Sequence, residues 1–296
     1  MREFDGRVCT LGEGALWHPV RRELFWFDIV GKRMYSRNPA TGVVRDVACN
    51  EMCSAAGWID EKRLLVASET GLWLFDVEGT ALTRLVKLEA DNPQTRSNDG
   101  RVDPWGGFWI GTMGKEEEEG AGALYRYYRG ELRELYANLT IPNTTCFAPN
   151  RTVAYFSDTQ CAHLYKVALD SEGWPTGVPE LFVDFSVHGL YPDGGVTLPD
   201  GSLRVALWGE GAVVEVTPEG LLGKRMPVGA PHATCPAFGG EEFSTLFCTS
   251  ATKGLSVEAR QAAPLSGKTF MLQGAGPGKP EPAFDLSGID LTGEPE

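Results

Sequence analysis

The chain has 296 residues, 42% of them hydrophobic and 23% charged, which is enough apolar material for a sizeable core and excludes a disordered polymer. A formal charge of −13 argues against nucleic acid as a partner, because phosphate binding needs a basic face. No apolar run approaches a membrane span, and the opening MREFDGRVCTLGEG lacks the apolar stretch of a signal peptide, so the expectation is a cytoplasmic protein without a membrane partner.

Taken in chain order, residues 4–9 (FDGRVC) read as a short strand, expected to close a sheet with residues 267–275 near the other end. Between them one grammar recurs: a turn rich in Gly, Pro, Asp and Asn, an apolar run, a tight turn and a second run. It begins at His18 (HPVRRELFWFDIVGK), Ile59 (IDEKRLLVASETGLWLF), Val102 (VDPWGGFWIGTM), Ala148 (APNRTVAYFSDTQ), Leu198 (LPDGSLRVALWGEG) and Phe238 (FGGEEFSTLFCTSA). With Phe25, Leu64, Phe108, Ala154, Leu203 and Leu246 as equivalent points, the spacings are 39, 44, 46, 49 and 43 residues. Several short strands repeating at that pitch predict an all-β fold, a six-bladed β-propeller, with residues 1–296 as a single domain. The tail after Pro282 is weakly patterned and expected to be peripheral. The seven cysteines (9, 49, 53, 146, 161, 235, 248) contain no C-x-x-C pair; Cys49 and Cys53 stand closest. They read as reduced thiols, mostly packing groups.

In a propeller the innermost strands line a central channel, so a site at its mouth draws single polar residues from several blades. Glu13, Asn98 with Asp99, Asn143 and Asp193 each stand just ahead of a blade's first apolar run. Each precedes a proline (Pro19, Pro104, Pro149, Pro199) by five or six residues. That shared register places them at one height around one axis. Asp or Asn before glycine is an ordinary turn former, which explains Asp99 or Asp193 taken singly but not four positions in register. Glu13, Asn143 and Asp193 offer two carboxylates and an amide oxygen. Buried together they repel and lose hydration unless a cation neutralises them. Such oxygens suit one divalent metal, Ca²⁺, Mg²⁺ or Mn²⁺, and are also accepted by Zn²⁺ and Fe²⁺.

Other chemistries find no support: the chain has no G-x-S-x-G elbow, P-loop or dinucleotide fingerprint. His18 reads as structural, His188 and His232 lie near loops at the mouth, and the acidic run Glu116–Glu119 reads as a solvated loop from which one member can reach the site.

The stretches LGEGALWHPVRRELFWFDI, RSNDGRVDPWGGFWIGTM, GALYR, YPDGGVTLPDGSLRVALWGEGAVVEV and PAFGGEEFSTLFCTSA resemble, in that order, the family of senescence marker protein (regucalcin), gluconolactonases and luciferin-regenerating proteins. ALWGEGAVVEV and TSATKGLSVEARQAAPLSGKTF look most like the bacterial sugar-acid lactonases such as xylonolactonase and arabinonolactonase. The resemblance implies hydrolysis of a small-molecule sugar lactone at one metal ion, the metal ligands carrying over to Glu13, Asn143 and Asp193. It also implies that Arg96 and Asn98 hold the sugar's oxygens, with Glu118 as a further substrate contact. Two positions depart from the family's pattern: Thr144 follows Asn143 where glycine is usual, and Gly195 stands where a larger residue is common. For the proton of the attacking water, Asp193 is the first choice of base and Asp99 the second. Two other readings remain beside this one: a non-catalytic calcium-binding propeller, and a metal-dependent esterase or phosphotriesterase on another substrate. The expected assembly is a monomer or a weak homo-oligomer.

Overall fold

A computed structural model describes residues 1–79 and 81–291. It contains six four-stranded antiparallel sheets. Five are built from consecutive strands: blade I (residues 12–48), II (53–87), III (95–139), IV (142–184) and V (191–227). Blade VI takes three strands from residues 232–273 and its outermost strand from Arg2–Asp5, which pairs with Thr269–Gln273. The inner strand of each blade touches that of the next, and the last touches the first, so the sheets form a ring. The fold is a six-bladed β-propeller. The two chain ends close one sheet as the pattern predicted, but the first strand is Arg2–Asp5 rather than residues 4–9, and its partner is the shorter Thr269–Gln273.

The second strands explain the apolar runs. In Glu23–Asp28 (ELFWFD), Phe25 and Phe27 pack between blades I and II, while Leu24 and Trp26 pack between blades I and VI. Both faces are buried, so the sequence reads as continuous rather than alternating hydrophobicity. The same holds around the ring: six apolar clusters each lie between two neighbouring blades.

The inner strands are Gly12–His18, Cys53–Trp58, Thr95–Val102, Pro142–Phe147, Tyr191–Thr197 and His232–Gly239. Each pairs out of step with its neighbour at the same level: after Glu13, Cys53, Ser97, Asn143, Pro192 and Ala233. A bulge of this kind re-aims side chains that a regular strand would send into the sheet. The polar residues therefore lie inside the innermost strands, not ahead of the first strand as their polarity suggested. The apolar runs are the second strands. Asp28 and Asp158, at the ends of two second strands, fix the entering chain. Asp28 accepts from the N–H groups of Thr10 and Leu11 (2.9 and 3.0 Å), and Asp158 from those of Thr140 and Ile141 (2.8 and 3.0 Å).

The tail after Pro282 is not peripheral at Phe284, which is buried, and the residues that lead to it from Ala275 are held as well. From Ala275, bonded to Ser244 of blade VI, the chain runs past Phe147 of blade IV, whose carbonyl accepts from Lys279 (3.0 Å). Glu281 then pairs with Arg101 of blade III, and its carbonyl accepts from the Trp58 indole of blade II (2.8 Å). Phe284 is buried and stacks on Tyr127 (5.9 Å between centroids). Arg101 and Val102 end the inner strand that Arg96 and Asn98 begin, so this segment covers the channel end opposite the polar cluster. Among the described residues no helix is long and apolar enough to cross a membrane.

Candidate active site

Glu13, Arg96, Asn98, Asn143 and Asp193 come together in one cavity of about 460 Å³ at the mouth of the channel. They are contributed by blades I, III, IV and V, and all five are buried, while the rim above them is more exposed. Each sits at or beside the bulge of its inner strand, which is why residues far apart in sequence meet at one depth.

A single chain of hydrogen bonds crosses three blades. The Arg96 guanidinium donates to Asn98 Oδ1 (2.8 Å), and Asn98 Nδ2 donates to Asn143 Oδ1 (3.0 Å). Asn143 Nδ2 donates to Thr159 Oγ1 (2.8 Å), and that hydroxyl donates to the carbonyl of Pro192, next to Asp193 (2.6 Å). The Thr144 hydroxyl donates to the Asp193 carbonyl. The amide oxygens of Asn98 and Asn143 are thereby oriented by donors on their neighbours rather than left to rotate.

The charge balance is unusual for a buried site. Burial, and then the charges of Asp193 and Asp99, push the Glu13 carboxyl well above the usual carboxylate range, with Arg96 opposing. Burial and then Asp99 push Asp193 up in the same way; the N–H of Gly194 and Arg96 oppose. Asp99, beneath the cavity, faces the Arg101 guanidinium, so the two carboxyls on the lining, Glu13 and Asp193, share the single guanidinium of Arg96. Burial pushes Arg96 down, with Glu13, Glu117 and Asp193 opposing, and its one positive charge is outnumbered by the two carboxyls. Among the described residues no group of three or more His, Cys, Asp or Glu is placed to hold a metal; beside the two carboxyls the remaining oxygen is the Asn143 amide. Two carboxylates and an amide oxygen with excess negative charge fit an oxygen-preferring divalent cation.

The remaining sequence-predicted residues fall in different places. Asp99 is buried below the cavity, not on its lining; its Oδ2 accepts from the N–H of Thr145 (2.7 Å). Glu118 is exposed and turns back to accept from the N–H of Glu116 (3.1 Å). Its neighbour Glu117 lines the cavity and pairs with Lys253 (2.8 Å), joining the rims of blades III and VI, which stand opposite in a ring of six. His232 lines the cavity, stacked on Trp208 (4.0 Å, 18°). His188 is exposed and off the lining, and His18 is buried with Nε2 2.9 Å from the Asp60 carbonyl, a structural contact. Thr159, Tyr191, Trp208 and Lys253 also line the cavity. Thr159 and Lys253 follow a second strand, Trp208 ends one and Tyr191 heads an inner strand; Tyr191, Trp208 and Lys253 stood in the stretches that carry the resemblance, whereas Thr159 stood in an ordinary turn.

Residues 11–252 match the model of the SMP-30/Gluconolactonase/LRE-like region. The chain belongs to this family. Within it, the 6-deoxy-6-sulfogluconolactonase of Pseudomonas putida is 33% identical over 277 residues, covering 93% of this chain and 95% of the relative. The L-arabinolactonase of Azospirillum brasilense is 32% identical over 269 residues, covering 89% and 88%. Among solved structures, a calcium-binding protein, regucalcin, of Agrobacterium tumefaciens superposes with a TM-score of 0.94 at 38% identity, covering 96% of this chain and 97% of the other.

Proposed function

We propose that this chain hydrolyses a sugar-acid lactone to the free aldonic acid, with one divalent cation held by Glu13, Asn143 and Asp193. Membership of the family and relatives named as lactonases make it a hydrolase of carboxylic ester bonds. The observation that supports the metal is the pair of buried carboxyls, Glu13 and Asp193, whose ionised forms burial and neighbouring carboxylates disfavour while Arg96 alone among the described cations lines the cavity floor beside them. A bound cation supplies Lewis acidity toward the lactone carbonyl and balances the two carboxylates.

The chain's own groups do the rest. Arg96 and Asn98 face the cavity beside the donors and hold the hydroxyl-bearing side of the substrate, orienting the ester carbon. Asp193 faces the cavity and takes the proton of the attacking water, whereas Asp99 lies beneath the lining with one oxygen committed to Thr145. Trp208 and His232 form an apolar wall for the C–H face of the ring.

The test is ring opening of γ- and δ-aldonolactones by chelator-treated protein, with Mg²⁺, Mn²⁺, Zn²⁺, Fe²⁺ or Ca²⁺ added back singly and spontaneous hydrolysis subtracted. Turnover restored by a metal is the expected result. A second reading, a calcium-binding protein without turnover, is favoured by the similarity to the Agrobacterium regucalcin, which is described as a calcium-binding protein. Ca²⁺ binding with no acid released from any lactone would select it.

A further inference from the structure

Cys49 and Cys53 lie outside the site described above, in the link between the outer strand of blade I, which ends at Ala48, and the inner strand of blade II, which begins at Cys53. Bends at Asn50 and Glu51 fold this link back on itself, and both cysteines belong to the one apolar cluster between blades I and II. The Cys49 thiol donates to the Val47 carbonyl (4.0 Å) and the Cys53 thiol to the Glu51 carbonyl (3.8 Å). Both line a groove of about 460 Å³ between the blades, whose other walls include Phe27, Met34, Val66 and Phe75. A smaller neighbouring groove is also lined by both. The Glu51 side chain, which accepts from Ser68 (2.6 Å) and Thr70 (2.8 Å), pins the bend between them.

The other cysteines are placed differently. Cys9, Cys146, Cys235 and Cys248 are buried, and burial pushes their thiols up; Cys161 is exposed, near Tyr165. In the pair, the proximity of Cys53 holds the Cys49 thiol below its ordinary range, while Cys49 and burial push the Cys53 thiol up. Cys49 is the more exposed of the two and is placed to meet an oxidant first, with the buried Cys53 beside it as the resolving thiol.

We propose that Cys49 and Cys53 form a peroxide-oxidisable dithiol that closes a reversible disulfide across the junction of blades I and II. The Cys49 thiolate attacks one oxygen of a hydroperoxide; an S–O bond forms, the O–O bond breaks, and water or an alcohol leaves. The Cys53 sulfur then attacks the Cys49 sulfur, an S–S bond forms, the S–O bond breaks, and a second water carries off the Cys53 proton. Two thiols lose two electrons in all, and the peroxide gains them. A dithiol reductant reverses the step.

The experiment treats the folded full-length protein with hydrogen peroxide, alkylates free thiols and digests with trypsin. Cleavage after Arg45 and Lys62 gives one peptide, residues 46–62, holding both cysteines and no other. The expected result is a peptide lighter by two hydrogens that resists alkylation until it is reduced. In Cys53→Ser the same peptide should instead carry a sulfenic acid at Cys49, trapped by a 1,3-diketone. Two alkylatable thiols in this peptide at a peroxide dose that oxidises Cys161 would overturn the proposal. So would a disulfide linking either residue to a different cysteine.

Discussion

Thr144 holds φ at +54°, a left-handed conformation that a β-branched side chain enters only at a cost. Its surroundings explain why it stays. The hydroxyl donates to the Asp193 carbonyl and accepts from Ser157 (2.9 Å), tying the bulge of blade IV to that of blade V. Its methyl group fills the space beside Gly195, where an added Cβ would lie 2.5 Å from Thr144 Cγ2. The two departures from the family's pattern are therefore one exchange of volume between neighbouring strands. Gly195→Ala is expected to destabilise by about 1–3 kcal/mol through overpacking, and Thr144→Gly in the same chain to recover most of that loss. Denaturant midpoints of the two single variants and the double variant measure the coupling; strict additivity would refute the exchange. Asp193 gives a second residue-scale prediction. Because its buried charge is repelled by neighbours, Asp193→Asn should raise the melting temperature of metal-free protein and remove the further rise that metal gives the wild type. Turnover should fall by about 10²–10⁴-fold. A melting temperature several degrees lower would mean that Asp193 is a structural residue.

At the scale of the element, the bulge common to all six inner strands is what converts a repeat into a site. Blades II and VI carry it too, but there the equivalent side chains are Ser54 and Thr234. Their hydroxyls bond to Ser97 (2.7 Å) and to the Gly12 carbonyl (2.5 Å). The ring is thus divided between blades that supply charged or amide groups and blades that hold their neighbours in place. The strand Arg2–Asp5 closes the ring, and Asp5 anchors it: Arg7 donates to its carboxylate through Nε (2.8 Å) and Nη2 (2.9 Å). Burial pushes the Asp5 carboxyl up, but the Arg7 hydrogen bonds and charge outweigh it and hold it below its ordinary value of 3.8. A carboxyl depressed in the folded state stabilises above its unfolded value and loses that contribution as pH falls through its folded one. Asp5→Asn should accordingly cost about 1–3 kcal/mol near neutrality, and the difference from wild type should vanish in acid below the ordinary Asp range. Urea unfolding at several pH values reads this directly; a pH-independent gap would show that shape, not charge, matters at Asp5.

For the molecule as a whole, the segment from Ala275 to Phe284 acts as a clasp over the channel end away from the cavity. It joins blades II, III, IV and VI through Trp58, Arg101, Phe147 and Ser244. The Arg101–Glu281 pair is almost fully buried, and removal of one partner leaves an uncompensated charge. Glu281→Ala is expected to cost about 3–5 kcal/mol, and the double variant Arg101→Met, Glu281→Ala to regain much of it. Equal stability of the two variants would show that the ion pair is not what the clasp contributes. Arg101 also donates to the Thr145 carbonyl (3.0 Å), and Thr145 in turn donates its N–H to Asp99. The clasp and the site thus share one layer of buried polar contacts.

How much of this was legible in the sequence follows the range of the forces involved. Apolar runs such as ELFWFD and LRVALW, separated by Gly- and Asp-rich turns at a steady pitch, determined the propeller, because a strand buried on both faces leaves a local pattern that recurs with every blade. The same register pointed to Glu13, Asn98, Asn143 and Asp193. What only the tertiary structure decided depends on contacts without a repeat. The bulges draw these residues into the inner strands, Glu117 rather than Glu118 reaches the cavity, and Lys253 meets it from the opposite blade. The tail carries too few apolar residues to announce a strand, yet it is held by single partners from four blades that exist as one surface only after the ring has closed.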